Sequence, residues 1–246
     1  MIEPSRVFIT GSADGLGKAT AKTLLGQGHR IVVHVRTKAR LTAVQELLTQ
    51  GAVAVVGDLA DRDQVREVAD QVNALGPLDV VIHNAGVYTG LSVLPVNVIA
   101  PYLLSALVQR PKRLIYLSSG LHLGGRPELR GLDWSGRRGT GSYSDSKLFV
   151  TTLAAAVARL WPSVLSNAVD PGWVPTRMGG PNAPDDLRLG HLTQEWLASS
   201  DDAEARTSGG YWHHQQRVEP HRAVQDPKFQ EQLLAELAEF TGTPLA

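Results

Sequence analysis

The sequence predicts a single-domain, doubly wound α/β fold, a parallel sheet of about seven strands with helices on both faces. Three observations predict it. Short β-branched runs alternate with helical stretches through the first half of the chain. Those runs are apolar without interruption, as strands covered on both faces must be. Glycines stand where successive helices should end. A length of 246 residues suits one α/β core and is short for two full domains.

Taken in order, strand Arg6–Thr10 precedes helix Leu16–Gln27, strand Arg30–Val35 precedes helix Lys38–Gln50, and strand Ala52–Val56 precedes helix Asp61–Leu75. Gly28, Gly51 and Gly76-Pro77 close these helices, because glycine accepts the left-handed conformation that follows a last turn. Strand Val80–His83 comes next, then a helix near Asn97–Gln109, strand Arg113–Leu117, a long helix from Tyr143 to Trp161, and strand Val164–Val169. Gly209-Gly210-Tyr211-Trp212 reads as a seventh strand, and a helix near Pro227–Phe240 closes the domain. Gly120–Gly141 and Pro171–Pro184 are rich in breakers and read as loops. Both follow strands, and ligands of open parallel sheets bind outside the carboxyl ends of strands.

Composition excludes several classes. Acidic and basic side chains balance at 24 each, so no field favours nucleic acid or an anionic membrane surface. Cysteine is absent, which removes disulfides, iron–sulfur clusters and thiolate zinc sites and fits a cytoplasmic location. Met1 to Arg6 lacks the features of a secretion leader, and no apolar run nears the roughly 20 residues that cross a bilayer. The expectation is a soluble protein without membrane insertion.

Between the first strand and helix stands Thr10-Gly11-Ser12-Ala13-Asp14-Gly15-Leu16-Gly17. Glycines there allow a tight turn and a close approach of backbone to pyrophosphate, with helix amides facing the phosphates. Plain turns also use glycine, so the context between strand and helix carries the argument. At the end of the second strand, roughly 20 residues on, an NAD enzyme carries an acid for the ribose hydroxyls. Here Arg36 stands instead, with Lys38 and Arg40 behind it. A guanidinium fork suits a 2′-phosphate, so NADP(H) is preferred, with NAD(H) the alternative. Asp14 opposes that choice unless its side chain faces solvent or pairs with Arg36.

The strongest motif is Tyr143-Ser144-Asp145-Ser146-Lys147, opening the long helix. Tyr143 and Lys147, one turn apart, share a face, and Ser142 with Asp145 forms a plausible capping pair. A phenol titrates near pH 10, so a base useful near neutrality must be stabilised by roughly 4 kcal/mol. At about 5 Å and an effective dielectric of about 20, an ammonium contributes roughly 3 kcal/mol. The expectation is that Lys147 lowers the Tyr143 pKa and an oxidised nicotinamide lowers it further.

The glycine spacing, the tyrosine–lysine pair and Tyr116-Leu117-Ser118-Ser119-Gly120 together resemble the short-chain dehydrogenase/reductase family, with its Rossmann-type fold, over nearly the whole chain. The resemblance implies that Gly11, Ser12, Asp14, Gly15, Leu16 and Gly17 form the dinucleotide turn, that Asp58 and Leu59 lie against adenine, and that Asn84, Ala85 and Gly86 complete a motif in which His83 is a departure. It implies that Ser119 orients a substrate carbonyl, that Tyr143 passes the proton while the nicotinamide passes hydride, and that Lys147 binds the nicotinamide ribose. Asn97 would hold a water linked to that lysine. Pro171, Gly172, Val174 and Thr176 would fix the nicotinamide amide. Asn84 also has a plain reading as a tie between strands, and Asn97 one as a buried residue that bends its helix.

The chain between Ser119 and Tyr143 is long, resembling the retinol-dehydrogenase-like branch, whereas that between Asn84 and Asn97 is short. The truncated helix puts the family's usual oligomer in doubt. A substrate-loop region over about 173–208 carries Met178, Leu187, Leu189, Leu192, Trp196 and Leu197, which suit either a lid over a lipophilic carbonyl substrate or an amphipathic helix on the sheet. His213 and His214 would point to opposite strand faces, so no metal site is expected. The expected function is an NADP-dependent oxidoreductase acting on a small-molecule alcohol/carbonyl pair. The alternatives are a dinucleotide-sensing or scaffold protein on the same fold and an epimerase or dehydratase, the last lacking chain length for a substrate domain.

Overall fold

A computed structural model describes residues 4–245. The part of the leader reading that rests on residues 1–3 lies outside them. The chain forms one α/β domain around an eight-stranded sheet of order β3-β2-β1-β4-β5-β6-β7-β8. The strands are β1 (Arg6–Ile9), β2 (Arg30–Val35), β3 (Val53–Val56), β4 (Val80–His83), β5 (Arg113–Leu117), β6 (Leu165–Asp170), β7 (Tyr211–His213) and β8 (Gln216–Val218). The helices are α1 (Gly15–Gly26), α2 (Gln45–Thr49), α3 (Arg62–Ala74), α4 (Ala100–Leu107), α5 (Tyr143–Leu160), α6 (Leu187–Ser199) and α7 (Pro227–Thr241).

The first seven strands run parallel, and all but the edge strand β3, where Val53 is exposed, bury both faces. In β1, Val7 and Ile9 join the core under α1, α2 and α6, whereas Phe8 joins the core under α3, α4, α5 and α7. This two-sided burial is why the strand sequences lack polar alternation. Order reverses between β1 and β4, which opens the crevice where the ligand of a doubly wound sheet sits.

The structure departs from the sequence reading in four places. The stretch Lys38–Gln50 is not one helix but a 3₁₀ segment, Lys38–Val44, leading into the short α2. An eighth strand follows β7 in antiparallel register, through a turn at His214 and Gln215 with φ of 48° and 63°. That turn also corrects the view of the two histidines. His214 lies past the strand end, and its ring stacks on His213 with centroids 3.9 Å apart. Lastly, α4 is preceded by a π-helical turn, Pro95–Ile99, centred on Asn97.

The short and long connections fit each other. A Cβ on Gly136 of the long loop would lie 2.6 Å from the Leu91 carbonyl, and one on Gly141 would lie 2.8 Å from Leu94 Cδ2. The extended loop thus packs onto the β4–α4 segment whose first helical part is missing. Trp134 anchors it, buried against Phe149 at 5.7 Å between ring centroids.

Candidate active site

A groove of about 890 Å³ runs along the carboxyl ends of the strands, within the ~300–1,000 Å³ range of small-molecule and cofactor sites. Gly11, Asp14, Gly15 and Leu16 line its first part, with Arg36, Asp58 and Leu59 beyond them. Asn84, Ala85 and Gly86 form its middle, and Tyr143, Lys147, Pro171 and Thr176 its other end. Ser12, Gly17, Gly172 and Val174 are not on the groove wall, and each has a packing role instead.

The Ser12 hydroxyl donates to the Ile9 carbonyl at 2.8 Å and accepts from the His34 N–H at 2.8 Å, so it clamps the turn to β2. A Cβ on Gly17 would lie 2.4 Å from Asn84 Nδ2 and 2.7 Å from the Gly11 carbonyl. That glycine permits close helix–strand packing rather than an approach to phosphate. Asn84 is the inter-strand tie of its plain reading, its amide donating to the carbonyls of Thr10 at 2.8 Å and Gly11 at 3.2 Å. Gly172, at φ of 79°, leaves room for the Asp185 carboxylate, and Val174 is buried against Gly190.

His34, unnoticed in the sequence because it sits inside a strand, fixes the geometry of this end. Its Nδ1 accepts from the Gly11 N–H at 3.0 Å, while Nε2 meets the Gly57 carbonyl at 2.8 Å. Both bonds require the neutral Nε2–H tautomer, and burial lowers the ring's pKa accordingly. Asp14 pairs with Arg40 at 3.0 Å and not with Arg36. The pair is half exposed, so its energetic weight is small. Its effect is to neutralise Asp14, while Arg36 has no carboxylate partner among the described residues.

At the other end, the Ser142–Asp145 capping box forms as expected, with Asp145 N donating to Ser142 Oγ at 3.0 Å and Ser142 N to Asp145 Oδ2 at 3.0 Å. The cap places Tyr143 and Lys147 on the groove face of α5. Lys147 is buried, its Nζ donating to the Leu117 carbonyl at 2.7 Å and lying 5.5 Å from the Tyr143 ring centroid. Burial pushes its pKa down to about 8, against a smaller opposing pull from Asp170. Burial pushes the Tyr143 phenol up to about 12; the neighbouring Ser119 hydroxyl lowers it in part, and Asp170 and Tyr88 raise it further.

This reverses the expectation that Lys147 holds the phenol down in the protein alone. The physical reason is that the low-polarity setting which brings the two groups together disfavours the charged form of each. Neither gains enough from the other to offset that cost.

Ser119 is off the groove wall but near enough to act on the Tyr143 phenol, and its Oγ accepts from Leu121 N at 3.2 Å. Asn97 is buried, and its amide is fully engaged. Oδ1 accepts from Val87 N at 2.8 Å, and Nδ2 donates to Val87 O at 2.9 Å and to Ser146 Oγ at 2.9 Å. These bonds tie the π-helical turn to the loop after β4 and to α5. Asn97 still adjoins the lysine, because a Cβ on Gly86 would sit 3.5 Å from both Asn97 Oδ1 and Lys147 Nζ.

The lid question resolves by position. Helix α6 packs on α1 and the sheet, with Leu197 in the core, whereas Met178 reaches the groove, its sulfur 4.0 Å from the Tyr143 hydroxyl. Tyr88 stacks at a tilt on Tyr143 with centroids 4.7 Å apart. Tyr88 and Met178 were missed as site residues because a single aromatic or methionine in a loop carries no periodic signal. His83 accounts for its departure differently. It is buried, stacks on Tyr116 at 4.6 Å, and meets Ser105 Oγ at 3.2 Å, and burial drops its pKa to about 3. No helix among the described residues is long and apolar enough to cross a membrane.

A short chain dehydrogenase family model matches residues 5–104. An uncharacterised oxidoreductase of Emericella nidulans is 36% identical, over 96% of this chain and 97% of its own. The short-chain dehydrogenase chry4 of Gibberella zeae is 33% identical, over 98% of each chain. The crystal structure of an uncharacterised protein from Mycobacterium paratuberculosis superimposes with a TM-score of 0.80 at 26% identity, covering 98% of this chain and 95% of that one. The chain belongs to the short-chain dehydrogenase/reductase family, whose members are NAD(P)-dependent oxidoreductases.

Proposed function

We propose that the protein is an NADP(H)-dependent oxidoreductase of an alcohol/carbonyl pair, with Tyr143 as general acid and base. The observation that supports this most strongly is the meeting, at one end of the groove, of the half-buried Tyr143 phenol and the buried Lys147 ammonium, with the Ser119 hydroxyl near the phenol. The groove also fits a dinucleotide by its own chemistry. Gly15 opens α1 toward it, and Arg36, without a carboxylate partner among the described residues, offers a guanidinium where a 2′-phosphate would need one.

In this reading the turn Gly11–Leu16 cradles the pyrophosphate, Asp58 and Leu59 flank adenine, and Ala85 and Gly86 give the backbone room to approach. Pro171 and Thr176 border the nicotinamide end, and Lys147 meets the adjoining ribose hydroxyls. When bound, the nicotinamide supplies or accepts the hydride. Tyr143 delivers its proton to the carbonyl oxygen in reduction and removes it from the hydroxyl in oxidation, while Ser119 holds the same oxygen. Burial favours the neutral phenol, which makes Tyr143 ready as the acid of the reductive direction. The bond to the Leu117 carbonyl keeps Lys147 in place.

The substrate is lipophilic. Tyr88, Leu91, Leu121, Leu123, Trp173 and Met178 are exposed large apolar side chains, and all lie in the segments after β4, β5 and β6 that surround Tyr143. The retinol-dehydrogenase-like long loop supports one side of that mouth. Of the substrate-loop region over 173–208, residues 173–186 carry the lining role, and α6 belongs to the core.

A panel of apolar ketones, aldehydes and their alcohols, assayed with NADPH/NADP and NADH/NAD on the wild type and Tyr143→Phe, tests the reading. Turnover by the wild type and its loss by about 10²–10⁴-fold in Tyr143→Phe are expected. Tight cofactor binding by both proteins without turnover by either would favour the dinucleotide-sensing alternative.

A further inference from the structure

The loop after β6 brings one more charged side chain to the groove. Arg177 follows Thr176 and lines the groove wall, yet it belongs to none of the motifs considered so far. A second cavity, of about 420 Å³, opens between α1 and this loop. Its wall shares only Gly15, Thr176 and Arg177 with the groove, so these three form the partition between the two spaces. The contact distances agree: a Cβ on Gly15 would lie 3.3 Å from Thr176 Cγ2. Arg177 therefore stands beside the first turn of α1.

The backbone that carries it is fixed within the loop. Trp173 N donates to Asp185 Oδ2 at 2.5 Å and Asp185 N to the Trp173 carbonyl at 3.1 Å, which closes the neck. Inside the neck, Gly180 N donates to the Thr176 carbonyl at 2.8 Å and Trp173 Nε1 to the Gly179 carbonyl at 2.8 Å. The side chain is the opposite case. It is exposed, and its guanidinium makes no hydrogen bond or ion pair among the described residues. The other cations of the second cavity are already engaged, Lys18 by the Ala43 carbonyl at 2.7 Å and Lys22 by Glu46 at 2.9 Å.

We propose that Arg177 binds the pyrophosphate of the dinucleotide, clamping it from the loop side against the glycine turn. The proposal rests on the reading of the groove as a dinucleotide site. A pyrophosphate is dianionic, whereas a helix N-terminus offers roughly half a positive charge. Elsewhere on the groove wall Arg36 follows β2, Arg40 is taken by Asp14, and Lys147 is buried at the Tyr143 end. Arg177 is the remaining cation of that wall. It adjoins Gly15, and a guanidinium can meet two phosphate oxygens at once. Because its backbone is already held, the contact costs little ordering of the loop.

The test is the affinity of wild type, Arg177→Gln and Arg36→Ala for NADPH, NADH and adenosine 2′-monophosphate, the first two by cofactor fluorescence and the last by competition with NADPH. Adenosine 2′-monophosphate carries the 2′-phosphate but no pyrophosphate. Arg177→Gln should weaken NADPH and NADH by the same factor, about tenfold, and leave adenosine 2′-monophosphate unchanged. Arg36→Ala should give the reverse pattern, sparing NADH. Unchanged affinity for both dinucleotides in Arg177→Gln would overturn the proposal. So would a loss confined to NADPH and adenosine 2′-monophosphate, which would move Arg177 to the 2′-phosphate. Cofactor-free Arg177→Gln should melt with the wild type, since the side chain makes no bond within the protein, so a loss of affinity reads binding and not folding. Binding of neither dinucleotide by the wild type would remove the dinucleotide reading itself, a failure distinct from wild-type binding that Arg177→Gln leaves intact.

Discussion

The two ends of the groove are built on opposite plans. The glycine-turn end is built on β1, one turn and α1, fastened through bonds to backbone by Ser12 in the turn, His34 from β2 and Asn84 after β4, with the Asp14–Arg40 pair half exposed. The other end gathers side chains from α5 and the loops after β4, β5 and β6, burying Lys147 and half-burying Tyr143. At the first end electrostatics is screened and selects a ligand. At the second it is unscreened and moves pKa values by amounts large enough to decide direction. Substitutions at the two ends should therefore fail differently.

The largest effect is expected at Lys147. Lys147→Met should reduce turnover by at least about 10²-fold and yet stabilise the fold. The sign follows from the lowered pKa: the unfolded chain binds the lysine proton more tightly, so the native protein carries its full penalty below about pH 8. That penalty is relieved as pH rises from there toward the ordinary lysine value of 10.5. The stabilisation should approach roughly 3 kcal/mol near neutrality, less the lost bond to Leu117, and shrink at higher pH. Denaturant melts across pH check it, and a gain that grows with pH would contradict the burial argument.

Next, Gly17→Ala should destabilise the protein by about 1–3 kcal/mol, because the new methyl meets the Asn84 amide and the Gly11 carbonyl, neither of which can yield. If Gly17 served phosphate contact alone, apo stability would be untouched and only cofactor affinity would fall. Arg36→Ala should weaken NADPH by about 10- to 100-fold with little change for NADH, the value of one charge-assisted contact. Fluorescence binding of both cofactors measures this, and equal losses would remove the assignment. The smallest effect belongs to Asp14→Ala, which frees Arg40 from its 3.0 Å pair. NADPH affinity should rise by less than about fivefold, in proportion to the modest energy of exposed pairs, and the rise should vanish in high salt.

The fold was legible because its signals are local: apolar strands, glycine helix ends and the Ser142–Asp145 cap each act within a few residues of chain. The tyrosine–lysine pair was legible for the same reason, as one helical turn fixes their common face. The eighth strand was not, since His214 and Gln215 adopt left-handed conformations without glycine. Nor were His34, Tyr88 and Met178, whose partners are far away in sequence.

By itself, then, the sequence determined which side chains share an element and so the doubly wound sheet, the glycine turn and the spacing of Tyr143 and Lys147. Tertiary structure decided what those groups are chemically. Burial, which no local pattern encodes, raises the phenol and lowers the ammonium, while tertiary contacts give Asp14 to Arg40 and press Gly17 against Asn84 and the Gly11 carbonyl. Periodicity is a property of neighbours in the chain, whereas a pKa is a property of everything within a few ångströms in space.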